Sequence, residues 1–124
     1  MKSVLYCIII LSFFNVFERR CSNFKSGSFK YKNTDYHEWT FIRNDTLQIE
    51  ENSASGVIIY SKIEWLTDCK YKLICTKVDN STVDDSEFIG TEFITTIYDT
   101  SNSSYKCRTS STLGTMEFEI IKTK

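Results

Sequence analysis

The residues most able to do chemistry are five: Cys21, Cys69, Cys75, Cys107 and the single histidine, His37. A zinc site needs closely spaced ligand pairs such as C-x-x-C or H-x-x-x-H. Here the nearest cysteines, Cys69 and Cys75, are six positions apart and His37 is remote from both, so no metal site is expected. A Cys–His nucleophile could be drawn from Cys21 or Cys75 with His37. No catalytic signature surrounds either cysteine, and a free thiolate in an oxidising compartment tends to oxidise. The four cysteines therefore read as structural, with three possible pairings. Cys21 precedes the first expected strand and Cys69 lies in a turn, both at element ends where bridge geometry is easily met, which predicts a Cys21–Cys69 disulfide. Cys75 and Cys107 share the inward parity of their strands. They are expected to bridge only if their Cα atoms come within about 7 Å, and otherwise to stay as two buried thiols.

The carboxylates carry weaker signals. Asp79, Ser81, Asp84, Asp85 and Glu87 imitate a calcium loop in composition but lack its mid-loop glycine and register, so a solvated acidic loop is expected. Glu64 and Asp68 could be paired for acid–base work, yet nothing in the sequence builds a cleft around them. The triplets at Asn44, Asn80 and Asn102 fit the N-glycosylation pattern and arise readily in a Ser- and Thr-rich chain. No cofactor is expected, and the chain is read as non-enzymatic.

Whatever these residues do, the remaining chain must hold them. With 15 Lys+Arg against 16 Asp+Glu in 124 residues, the protein has no net field to recruit nucleic acid. Residues 1–20 carry Lys2, an apolar run from Val4 to Phe17 and the charged break Glu18-Arg19-Arg20. The run is shorter than the roughly 20 residues of a spanning helix and has the layout of a secretory signal. No A-x-A-like site follows it, so an uncleaved membrane anchor is the alternative. Both place the protein outside the cytoplasm: periplasm, cell envelope or medium. Cys7 lies within this segment, and residues 21–124 remain as one domain with a net charge of −3.

Within that domain the apolar period is two almost everywhere, the alternation of half-buried strands. Strands are expected at 27–32, 39–43, 47–51, 57–65, 71–77, 88–99, 105–109 and 116–122. Asn44-Asp45, the stretch 52–56, Thr67-Asp68 and 101–104 supply turn chemistry. Short connections leave no room for crossover helices, so sequence neighbours pair antiparallel. The expected fold is an all-β meander of about eight strands closed into a small barrel or strongly curved sheet; a two-sheet β-sandwich is the alternative. Phe29, Trp39, Trp65 and Phe118 are the candidate core or ligand-lining aromatics. Core packing is the stronger reading for them, because eight strands leave a lumen that side chains can fill. Trp65, at the end of the longest inward row, is expected to be a buried anchor packed on Phe29 and Tyr31. Tyr60 and Ile58 fall on the opposite face.

The phrases Cys21-Ser-Asn-Phe-Lys-Ser-Gly-Ser-Phe-Lys-Tyr31, Arg43-Asn-Asp-Thr-Leu-Gln-Ile-Glu50 and Ile63-Glu-Trp-Leu-Thr-Asp-Cys-Lys-Tyr71 resemble a group of small exported proteins of Flavobacteria-type bacteria. The resemblance spans most of residues 21–124 and implies a lipocalin-like fold. It brings no activity with it. A cell-envelope binding or interaction module, for a small apolar ligand or an envelope protein partner, is the function expected. An exported enzyme, or a structural or stress-response envelope protein without a ligand, are the alternatives.

Overall fold

A computed structural model describes residues 20–124; the leader or anchor expected over residues 1–20 lies, except for Arg20, outside the described residues. The strands are β1 (Gly27–Tyr31), β2 (Trp39–Arg43), β3 (Leu47–Asn52), β4 (Ile58–Thr67), β5 (Lys70–Asp79), β6 (Glu92–Thr100), β7 (Ser104–Ser111) and β8 (Gly114–Lys122). They form a closed antiparallel meander, each strand bonded to the next and β8 returning to β1. Closure removes the free edges that an open sheet of this length would expose. It uses register shifts at Tyr60/Ser61 and Trp65/Thr67 between β4 and β5, and at Ile97/Asp99 between β6 and β7. Such bulges raise local twist and bend the strands around the axis.

The β1–β8 seam is extended by Ser28 N–H donating to Lys124 O (3.0 Å) and Thr123 N–H donating to Ser28 O (2.7 Å). Gly27 sits at its corner with φ +128°, where a Cβ would collide with Lys124 O. A side chain there is excluded both by the backbone conformation and by space.

The turns at 44–46, 68–69 and 101–103 gather at one end of the barrel, and the connections 32–38, 53–57, 80–91 and 112–113 at the other. The first end is closed. A 3-10 turn at Cys21–Phe24 lies across it, joined to the β4–β5 turn by the Cys21–Cys69 disulfide with Cα atoms 5.2 Å apart, the bridge the sequence predicts. Phe24 is fully buried on Tyr105, with ring centroids 5.0 Å apart. Phe29, Phe41, Ile63, Tyr71, Ile97, Cys107 and Ile120 complete a dense core beneath it.

Two expectations need correction, and a third resolves to its alternative: Cys75 and Cys107 do not form a second disulfide but stay as two buried thiols. They point inward from β5 and β7 with β6 between them, and strands two apart in a sheet lie about 9–10 Å from each other, too far for a disulfide. The sixth strand begins at Glu92 and not at Phe88. Gly90, with φ +86°, breaks the extended run, and Gly90 N–H donates to Cys75 O. Trp39, finally, shares the parity of Phe41 but is only half-buried at the first residue of β2, and joins neither the core nor the cavity wall.

Candidate ligand cavity

Above the closed end the lumen is not filled. A cavity of ≈ 400 Å³ runs from Arg43 and Gln48 at its floor to Leu113 and Met116 at its mouth. Its wall is mostly apolar and aromatic: Tyr31, Phe41, Ile59, Tyr71, Leu73, Phe93, Phe118 and Ile120. Phe88, delivered by the 80–91 loop, also lines it and packs at a tilt against Phe93, ring centroids 5.2 Å apart. Leu113 (57%) and Met116 (50%) are exposed at the lip, as are Val83 and Ile89 on the adjoining loop.

The floor is built around a buried arginine. Arg43 ends β2 on the inward row Trp39–Phe41–Arg43, and Gln48, second residue of β3, lies directly opposite it. The turn between them is fixed by Asn44 Oδ1, which accepts from Thr46 N–H (3.0 Å) and Leu47 N–H (2.9 Å). This local chemistry sets the register, and register decides which face turns inward. The consequence runs along β3: Gln48, Glu50 and Asn52 face the lumen, while Leu47 and Ile49 face out. Ile49 pairs outside with Ile42 and Tyr60.

Arg43, 4% exposed, donates from Nε and Nη2 to Gln48 Oε1 (3.0 and 2.8 Å) and from Nη1 to Phe24 O (2.9 Å). Its Nη2 also reaches the hydroxyls of Tyr105 (3.1 Å) and Tyr71 (3.2 Å). Four rings surround the guanidinium carbon: Tyr71 at 4.5 Å, Phe29 at 4.9 Å, Phe41 at 5.3 Å and Trp65 at 5.9 Å. Burial alone would make the guanidinium easier to deprotonate, but Tyr105 and Tyr71 more than offset it, so Arg43 stays cationic. Burial in turn pushes the Tyr71 and Tyr105 hydroxyls above the ordinary phenol range.

One pleat nearer the mouth, Glu50 Oε2 accepts a 2.5 Å hydrogen bond from the Tyr31 hydroxyl. Burial raises the Glu50 carboxyl above its ordinary value, against the opposing pull of the Tyr31 hydrogen bond and the Arg43 charge. Tyr31 is raised too, by burial first and by Glu50 second. Across the lumen, on β6 and β7, Thr95 and Thr109 satisfy each other, their hydroxyls 2.7 Å apart.

Of the aromatics singled out in the sequence, Phe118 lines the cavity, while Phe29 and Trp65 belong to the packed end. Trp65 packs on Tyr71, centroids 4.8 Å apart, and beside Arg43, in place of the expected Phe29 and Tyr31; its Nε1–H is buried without a partner. The candidate catalytic groups are dispersed. Cys21 and Cys69 are joined, His37 is exposed with Nδ1 2.7 Å from Thr34 O, and burial pushes the Cys107 thiol up to about 12. Glu64 and Asp68 pair separately with Lys72 and Lys25. Among the described residues no group of three or more His, Cys, Asp or Glu could hold a metal ion, and no helix is long and apolar enough to cross a membrane.

Arg43, Gln48 and Glu50 were missed in the sequence because polar residues on strands usually face solvent. The available signal was parity: Arg43 continues the row of Trp39 and Phe41, and a tight turn at 44–46 forces Gln48 to follow it. Comparison with protein-family models, curated proteins and solved structures gave no match.

Proposed function

We propose that this protein is a non-enzymatic carrier or sensor that binds a small, largely apolar molecule in the mouth of its barrel. The observation that supports this reading most is the ≈ 400 Å³ lumen, open at one end and walled by aromatic rings. Sites for small molecules commonly enclose about 300–1,000 Å³ behind mostly apolar walls with a few placed polar groups. The exposed Leu113 and Met116 at the lip give an apolar ligand a path that avoids a polar barrier. The thiols of Cys75 and Cys107, buried and resistant to ionisation, are poorly placed to attack a ligand. The disulfide, taken with the signal-like residues 1–20, favours an oxidising compartment outside the cytoplasm.

The test is retention. The purified protein is unfolded, refolded under oxidising conditions, equilibrated with a cell lipid extract, re-isolated and analysed by mass spectrometry, with Nile red uptake measured in parallel. A bound apolar molecule, together with Nile red fluorescence that Leu73→Trp abolishes by filling the lumen, is the expected result. An empty wild-type lumen that also excludes Nile red would overturn the proposal.

A further inference from the structure

We infer that the molecule bound in the lumen carries a protonated amine, anchored on the Glu50 carboxylate among the rings of Tyr31, Phe41 and Phe118. The inference rests on the binding reading above and assigns its ligand class. Only two charged side chains line the cavity, Arg43 and Glu50, and they differ in what they leave open. Arg43 is bound into the floor by Gln48, Phe24 O and two tyrosine hydroxyls, with aromatic rings around it. Glu50 has a single hydrogen bond, from Tyr31 to Oε2. Among the described residues Oε1 has no hydrogen-bond partner, and Glu50 forms no ion pair.

Oε1 is not among the fully buried unpaired atoms and so faces the open lumen, where a ligand that covers it must bring a donor or a cation to avoid leaving a carboxylate oxygen unpaired. The surrounding wall suits a cation. Tyr31 lies 5.6 Å from Phe41 and 5.3 Å from Phe118, centroid to centroid, and the π faces of such rings attract ammonium groups. Glu50 also stands one pleat closer to the mouth than Gln48, about 7 Å along the strand. An anionic headgroup entering the barrel would therefore meet this carboxylate before it reached Arg43. A neutral apolar ligand would leave Oε1 unpaired. A primary or secondary ammonium on a compact aromatic or alkyl body satisfies carboxylate, rings and apolar wall together.

Calorimetry at neutral pH with 2-phenylethylamine, 2-phenylethanol and 3-phenylpropanoate separates the possibilities, with Nile red displacement reporting occupancy of the lumen. The amine is expected to bind tightest of the three. Glu50→Gln, which keeps an acceptor for Tyr31, should weaken the amine by about 10- to 100-fold, the worth of a charge-assisted hydrogen bond. The same variant should not weaken the alcohol or Nile red, and its thermal midpoint should be no lower than wild type. If Nile red enters but the amine fails to bind, binds no better than the alcohol, or is outbound by the carboxylate, the amine assignment is wrong and the cavity reading survives. If no probe enters, Nile red included, both fall together.

Discussion

The two halves of the barrel are built from the same strands and do opposite things with their inward side chains. At the closed end, Cys21, Phe24, Phe29, Ile97, Tyr105 and Cys107 are essentially inaccessible to solvent, and even a guanidinium is wrapped by hydrogen bonds and rings. At the mouth, the same rows continue into half-exposed Phe118, exposed Met116 and a carboxylate with an unused oxygen. The difference lies in what crosses the axis. A disulfide-tethered turn brings Phe24 over one opening, whereas the 80–91 loop brings Phe88 only to the wall of the other. Burial is concentrated where the chain closes over itself, and the other half holds an unfilled space.

Removing the disulfide should break this contrast most. The Cys21–Cys69 bridge spans 48 positions, and a loop of that size is worth about 4 kcal/mol in the chain-entropy account. Cys21→Ser/Cys69→Ser should show that loss in denaturant unfolding, along with earlier proteolysis near Phe24. Trp65→Ala, beside Tyr71 and Arg43, is expected to cost about 3 kcal/mol, at the low end for a large aromatic because Trp65 is only partly buried. Its unfolding midpoint should fall equally with and without ligand.

Glu50→Gln sharpens the comparison in the other direction. Because burial raises the Glu50 carboxyl, the folded protein holds that proton more tightly than the unfolded chain does. Stability contributed there is present at low pH and declines as pH rises from the ordinary carboxylate value through the raised one. Tyr31 and Arg43 are the ionisable groups facing it, and its β4 neighbour is Ile59. The variant should lack this decline and unfold at higher denaturant than wild type above that window. The smallest effect is expected at the lip: Leu113→Ser, in an exposed turn, should alter stability by no more than about 0.5 kcal/mol. Nile red entry measured by stopped flow should nevertheless slow in that variant.

Much of the fold was legible because alternation is a strong signal where one face is uniformly apolar. The inward row Ile59, Ser61, Ile63 of β4 and the closure of a meander both emerge from it. The Cys21–Cys69 bridge was legible from its position at element ends. β3 was not, because Leu47 and Ile49 look like the buried face of an isolated strand, and only the paired register with β2 turns Gln48 and Glu50 inward. Phe88 misled for a related reason: an apolar residue near a strand reads as part of it, although Gly90 ends the strand geometry and leaves the ring to line the lumen. The candidate site is thus least legible where long-range pairing overrides local hydrophobicity.

The seam between β1 and β8 also bears on how the molecule comes into being. Every other strand pair joins neighbours in sequence, so seven hairpins can form as soon as each pair is available, but the eighth ladder must bring Ser28 to Lys124. Until then the first strand has an unsatisfied edge, and this non-local pairing is expected to be the slow step of folding. Gly27 is the residue on which that final step turns, since any side chain at its position would obstruct Lys124 just as the cylinder shuts. A chain carrying Gly27→Val would be expected to build its hairpins and disulfide normally, and then to linger as an open sheet ready to join its edge to another copy.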